Sequence, residues 1–355
     1  MDKDIAIVLT NGWLKTLNAK TAHGLLHRSD RFYIAALIDP VYAGKDARKV
    51  LNQPLLNIPI YRNVPEALMD LNIRPGYCII GVALHGGNLP VTLRSEIIQA
   101  IKQRLSIVSG LHSYLSDDPE FRELAEKYQV KLIDIRKPRP VKELRFWTGD
   151  IYQVKTPRIA LLGMDCAIGK RTTGVVLVKL CQMAGIKTEL IYTGQTGWMQ
   201  GWKYGFIFDA TVNDFLAGEI ERVILECDRQ AKPDLILIEG QASLRNPAGP
   251  CGSEFLLSGN CKAVILQHAP GRKYFEGFEH LKPHIPDIEE EIELIRLFGA
   301  RTLAVTLNEQ AMSPKKISHY QQKLEKQLGI PVIRPLTDEV DRLLPVIRTY
   351  LRKGK

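Results

Sequence analysis

One stretch constrains this chain more than any other: Gly163-Met-Asp165-Cys-Ala-Ile-Gly169-Lys170-Arg171-Thr172-Thr173. The apolar run Ile159-Ala-Leu-Leu162 before it reads as a buried strand. A helical pattern from about Thr172 to Ala184 follows. A glycine-rich turn from strand into helix points successive backbone N–H groups into one concavity, and the helix N-terminus adds partial positive charge. The product is a phosphate-cradling P-loop. Gly163 and Gly169 let the backbone turn and approach an anion. Lys170 brings a point charge, and Thr172 and Thr173 bring hydroxyls.

Two details depart from the standard Gly-x4-Gly-Lys-Ser/Thr pattern. Five residues, 164–168, separate Gly163 from Gly169. The resulting Gly-x-Asp-x3-Gly-Lys pattern, with Asp165 inside it, resembles the deviant loop of the dethiobiotin synthetase and MinD-like P-loop group. Arg171 stands where a hydroxyl would ligate Mg²⁺. A guanidinium cannot coordinate a cation, but it pairs with phosphate bidentately. Anion binding is strengthened, Mg²⁺ is left doubtful, and no metal ligand is assigned. His280 and His284 are four apart, but Pro283 interrupts the helical face that a metal pair needs.

Strand-like runs alternate with helical ones along the whole chain. This argues for α/β architecture with parallel, doubly wound sheets. The expected layout is a first domain over 1–140, a linker over 141–157 and a P-loop NTPase-like α/β domain over 158–355. Arg136-Lys-Pro-Arg-Pro140 has two prolines and no apolar periodicity, and reads as a solvated connector.

Further candidates sit at strand ends, where such sheets bind ligands. Asp234-Leu-Ile-Leu-Ile-Glu239 resembles a Walker B strand and places Glu239 as a candidate general base. His268 ends a later strand and is a second candidate base, with Arg272 just beyond it as a substrate contact. Gln195, Thr196 and Gly197 lie in an expected glycine-rich loop, and with Gln241 they are candidate substrate contacts. Asn308 is placed where related P-loop proteins read an adenine. Asp214 and Glu221 share a helical face near Asp209. In the first domain, Thr10-Asn-Gly12 is no dinucleotide fingerprint. His85-Gly-Gly87 and Ser109-Gly-Leu-His112 are its candidate contacts. The long 241–252 loop has the character of a lid.

The formal charge of +9 is spread evenly: 21 bases against 16 acids in residues 1–150, and 27 against 23 in the rest. Nucleic-acid binding calls for a concentrated basic footprint, so a small anionic ligand is the expected partner. No apolar run approaches a bilayer span. Met1-Asp-Lys-Asp4 runs straight into strand-like sequence and does not read as a signal peptide. The expected setting is cytoplasmic and the expected assembly a homo-oligomer. The six cysteines show no Cys-x-x-Cys pair and read as buried thiols, apart from Cys166 inside the loop.

Cys166-Ala-Ile-Gly-Lys-Arg-Thr-Thr173, Glu239-Gly-Gln241, Gly110-Leu-His112 and Asp134-Ile-Arg136 together resemble the family called domain of unknown function 1611. The resemblance covers nearly the whole chain. It implies a Rossmann-like N-terminal domain joined to a C-terminal P-loop domain. It further implies D-glutamate N-acetyltransferase activity with acetyl-CoA. Two other readings of the loop stay open: an ATP-dependent ligase or kinase, and a nucleotide sensor without catalysis.

Overall fold

A computed structural model describes residues 3–53, 57–84, 89–337 and 340–353. The chain forms two compact units. The first runs to Pro138 and also takes in Gln195–Trp202; the second comprises 139–194 and 203–355. His85-Gly-Gly87 lies outside the described residues.

The first unit is a six-stranded, all-parallel sheet. Its strands are β1 (Asp4–Leu9), β2 (Phe32–Ile38), β3 (Ile60–Tyr61), β4 (Tyr77–Ile80), β5 (Ser106–Ser109) and β6 (Leu132–Asp134). They are ordered β3-β2-β1-β4-β5-β6, the Rossmann order. Helices α1 (Lys20–His27), α2 (Ala47–Leu51), α3 (Val64–Asp70), α4 (Val91–Lys102) and α5 (Pro119–Tyr128) connect them. Strand alternation sends Ile7 and Leu9 into one buried cluster with Leu93, Ile97 and Phe121. Ala6 and Val8 go into another with Leu25 and Leu26. Both faces are covered, so the strands are apolar throughout.

At the carboxyl end of β2, Asp39 is fully buried. Its carboxylate accepts from Thr10 Oγ1 at 2.7 Å and from the Gly12 and Leu14 amides at 2.9 and 3.3 Å. A Rossmann acid that would otherwise meet a ribose here closes the first turn instead.

The second unit is also six-stranded and parallel, with β7 (Arg158–Gly163), β8 (Thr188–Ile191), β9 (Leu235–Glu239), β10 (Ala263–His268), β11 (Arg301–Leu307) and β12 (Val332–Ile333). The order is β12-β11-β10-β7-β9-β8. Helices α6 (Lys170–Met183), α8 (Asn213–Ala231), α9 (Ser253–Leu257), α10 (Ile288–Leu297), α11 (Pro314–Leu328) and α12 (Leu343–Lys353) accompany it. The chain builds β8 and β9 on one side of β7, then crosses to β10 on the other. The carboxyl end of β7 is therefore a topological switch point, where open sheets bind ligands. No helix among the described residues is long and apolar enough to cross a membrane.

Two expectations about connecting segments are corrected. Gln195, Thr196 and Gly197 are not a loop but the start of α7 (Gln195–Gln200), which belongs to the first unit. Met199 is fully buried in the cluster with Leu25 and Leu26. Thr196 Oγ1 lies 3.2 Å from Thr21 Oγ1, and Gln200 donates to the Gly24 carbonyl at 2.8 Å. Docking on α1 fixes a segment whose own composition favours a turn.

The basic stretch read as a solvated connector is also ordered. Arg136 is buried and donates to the Gly110 carbonyl. From Arg139 onward the chain is strapped onto α8 by two buried acids. Glu219 accepts from Arg139 Nη1 at 2.9 Å and from the Arg145 amide at 3.2 Å. Glu221 accepts from the Thr148 amide and hydroxyl, both at 2.8 Å, and from the Ile151 amide at 3.1 Å. Burial pushes the Glu221 carboxyl up, but these bonds outweigh it and its pKa is lowered. Glu221, expected on one face with Asp214, thus works in a clamp with Glu219.

The strap crosses α8 at Gly218, where a Cβ would stand 1.9 Å from the Arg145 carbonyl oxygen. Backbone on both sides leaves no flexible group to yield. Gly218→Ala should destabilise the protein by about 1–3 kcal/mol, the usual range for overpacking. Urea unfolding measures it, and stability equal to the parent would show that the strap lifts freely.

Candidate functional site

The loop between β7 and α6 is shaped by two left-handed residues, Ala167 at φ 51° and Gly169 at φ 101°. Gly169 caps α6, which has no side-chain cap bond and no acid in its first turn. The first N–H groups of a helix have no intrahelical acceptor, so this N-terminus faces the loop as a donor set. A Cβ on Gly163 would lie 2.9 Å from Ile168 Cδ1 and 3.0 Å from Lys170 Cδ, so glycine lets the loop fold back on its strand.

Asp165 organises the loop. It is fully buried, and its carboxylate accepts from the Cys166 amide at 2.7 Å, Asn246 Nδ2 at 3.3 Å, Arg272 Nη1 at 2.9 Å and the Glu276 amide at 3.0 Å. Its oxygens meet protein donors on every side. Arg272, expected as a substrate contact, also donates to the Cys166 carbonyl at 2.8 Å. Asn308 donates to the Ile168 carbonyl at 2.9 Å and so supports the loop from behind.

Lys170 is buried, with Nζ 2.6 Å from the Asp165 carbonyl and 2.8 Å from the Ala242 carbonyl. Burial lowers its pKa against the raising effect of the nearby Cys166, Cys251, Asp165 and Glu239. An arriving anion would reverse that penalty. Arg171, one residue on, pairs with Glu239 at the end of β9, Nη1 to Oε1 3.4 Å. Burial pushes the Glu239 carboxyl up, and Arg171, the Thr193 amide and Lys170 oppose it. Thr193 donates its hydroxyl to the Glu239 carbonyl at 2.8 Å and receives Gln241 Nε2 at 2.8 Å. Glu239, Gln241, Arg171 and Lys170 therefore belong to one neighbourhood.

Residues 145–344 match the family described as "Domain of unknown function (DUF1611_C) P-loop domain", and residues 40–138 match its DUF1611_N Rossmann-like domain. The chain belongs to the DUF1611 family. Two curated relatives, from Pseudoalteromonas sp and Tritonibacter scottomollicae, are both named D-glutamate N-acetyltransferase. They are 30% and 28% identical to it over 273 and 276 residues, which is 75% and 76% of this chain and 79% and 80% of theirs. A crystal structure of a DUF1611 family protein from Anabaena variabilis aligns with TM-score 0.87 and 25% identity, covering 99% of this chain and 100% of that one.

Within this DUF1611 P-loop unit, two expected residues point elsewhere. Thr173, expected at a phosphate, gives its hydroxyl to Gln267 Oε1 at 2.6 Å in the buried interior, where Thr306 joins it at 2.6 Å. Thr172 is half-buried at the start of α6. His268 follows Gln267 on β10, so its side chain takes the opposite face of the sheet. Its Nε2 is 3.0 Å from the Tyr320 hydroxyl of α11. Glu239 and His268 therefore do not form a pair. Sequence reasoning missed three residues: Asn246 and Ala242, the latter through its carbonyl, which complete the loop, and Tyr320, which backs His268 on the other face. The first two lie in the long loop after β9, which the sequence marks as lid-like without singling out either residue. Tyr320 carried no sequence signal beyond its place on an amphipathic helix.

Burial depresses the His268 pKa from 6.5 to about 4, and among the described residues its Nδ1 has no hydrogen-bond partner. Between those values the unfolded chain binds a proton that the native chain does not. Stability is therefore fully present above pH 6.5 and falls as pH drops toward 4, by about 3 kcal/mol. His268→Gln should remove this component. Urea unfolding at stepped pH measures it, and a slope identical to the parent's between pH 6.5 and 4 would exclude a buried neutral ring.

Proposed function

We propose that this protein is an N-acyltransferase that moves an acetyl group from acetyl-CoA to the amine of an acidic D-amino acid such as D-glutamate. The observation that carries the reading is the Arg171–Glu239 pair. In P-loops that work on Mg-nucleotide, the residue after the lysine gives a hydroxyl to the metal and the neighbouring strand end gives a carboxylate. Here those two positions hold a cation and an acid that satisfy each other. The loop keeps its power to hold an anion and lacks the hydroxyl that would place a metal.

Coenzyme A presents a pyrophosphate and a 3′-phosphate. The donor set fits such a ligand: the α6 N-terminus, the Lys170 ammonium and the Arg171 guanidinium, which can form a bidentate pair. The names of the two curated relatives support the acetyl donor and the amino-acid acceptor.

In the transfer, the amine nitrogen forms a bond to the acetyl carbonyl carbon, the thioester C–S bond breaks, and the sulfur leaves as the coenzyme A thiol with the proton that the nitrogen sheds on becoming an amide. The ammonium must first release a proton to a base. Burial raises the Glu239 pKa, and Arg171 opposes that rise. When Arg171 turns toward a phosphate, Glu239 loses part of that influence and becomes a stronger base. Ligand binding would thereby prime the acceptor of the proton. His268, neutral near pH 7, is the other candidate.

The test is calorimetry with acetyl-CoA and, separately, Mg-ATP. Acetyl-CoA should bind. Lys170→Ala should lose about 2–3 kcal/mol of that affinity, the range for hydrogen bonds to charged groups. Arg171→Thr should weaken binding while the protein still folds. Binding of Mg-ATP alone would overturn acyl transfer in favour of a ligase or kinase. Binding of both with no turnover of any amine would favour a sensor. Unchanged affinity in Arg171→Thr would remove its role as a phosphate clamp.

A further inference from the structure

Beyond the carboxyl end of β10, on the His268 face of the sheet, lies a cleft of about 400 Å³. That volume is within the range of small-molecule sites, roughly 300–1,000 Å³. Its walls come from the segment after β10, the start of α10 and one side of α11. On α11, Tyr320, Lys323, Leu324 and Gln327 follow helical spacing and share that side. Neither Glu239 nor any residue of the anion loop lines it.

The charges of the cleft divide into committed and uncommitted groups. Arg272 is neutralised by Asp165 and Glu276 at 2.9 and 3.2 Å. Glu289 receives Gln327. Lys273 lies 5.4 Å from the Tyr274 ring, and among the described residues neither it nor Lys323 forms an ion pair. Asp287 sits at the N-cap of α10 without a side-chain cap bond. Two cations and two carboxylates, Asp287 and the hydrogen-bonded Glu289, therefore face the cleft, beside Ile285, Ile288 and Leu324.

We propose that this cleft seats an amino acid bearing a second carboxylate, its two acids against Lys273 and Lys323 and its ammonium against Asp287. That this ligand is the acetyl acceptor rests on the acetyl-transfer reading above. Each charged group of the ligand meets one of opposite sign, while Glu289 keeps to the Gln327 amide. A plain dicarboxylate leaves Asp287 unpaired beside its own negative charge, and a neutral amino acid leaves one lysine without a partner. The cleft also borders the anion loop, because Arg272 lines it and donates to the Cys166 carbonyl. His268 and Tyr320, which close its inner wall, bring a neutral imidazole and a phenol to the same ligand.

The experiment is calorimetry on the full chain, with and without coenzyme A, using D-glutamate and the amine-free glutarate as probes. D-glutamate should saturate, and glutarate should bind about tenfold more weakly. Lys323→Gln, at an exposed position that folding does not need, should weaken D-glutamate about tenfold and leave coenzyme A affinity unchanged. Asp287→Asn should bring D-glutamate and glutarate within about twofold of each other. Failure of the parent protein to bind D-glutamate under either condition would overturn the assignment. So would affinities within twofold of the parent's in both variants. Binding that obeys the variants without acetyl transfer would uphold the cleft and sink the transfer reading. Transfer with a KM that neither variant moves would uphold transfer and sink the cleft.

Discussion

A buried carboxylate with no partner would cost several kcal/mol, and Asp165 avoids that by gathering two distant segments onto its own loop. It takes its donors from its own loop, from Asn246 in the loop after β9 and from Arg272 and Glu276 in the segment after β10. The anion loop is thus shaped before any ligand arrives, which spares the ligand the entropy of ordering it. Lys170 strengthens the same arrangement through the Asp165 and Ala242 carbonyls. The residue that looked like part of the phosphate cradle acts one step behind it.

Next to this fixed frame stands a pair that can change partners. Arg171 and Glu239 are 3.4 Å apart, a long contact for an ion pair, and the Arg171 side chain is about one-fifth exposed. A phosphate, with more negative charge and three oxygens, is a better match for a guanidinium than one buried carboxylate. Asp165 is held by four donors and cannot exchange so easily. The site therefore combines a rigid part that sets the geometry with a loose pair that can respond to charge.

Much of this was legible in the residues because the signals were local. The strand–glycine–lysine–helix order at 158–183 follows from apolar run, loop and periodicity, and the alternation of elements in both sheets follows in the same way. The family resemblance rested on segments that do meet: Gly110 and Arg136 are bonded in the first unit, and the loop and Glu239 are paired in the second. What escaped depends on distant partners. Gly197 gave α7 the look of a turn, and only burial of Met199 against α1 makes it a helix. Glu221 looks like part of an acidic face with Asp214 until the strap from Arg139 to Ile151 lies on it and on Glu219. Thr173 looked like a phosphate ligand because sequence does not show that Gln267 waits opposite it.

The separation of His268 from Glu239 has a simple geometric origin. On β10, Val264, Leu266 and His268 share one face, which packs with Ile288, Ile317 and Leu324. Ala263, Ile265 and Gln267 share the other, where Gln267 meets Thr173 of α6. Side chains alternate with period two, so adjacent residues at a strand end serve opposite faces of the sheet. A slip of one residue would put His268 beside α6 and bury Gln267 among isoleucines. The apolar pattern of the strand forbids that slip. Two titratable groups at neighbouring strand ends thus need not act on one another. The P-loop unit therefore has room for two separate sites, the loop after β7 with Arg171 and Glu239 on one face and the cleft against α11 on the other, with Arg272 touching the walls of both.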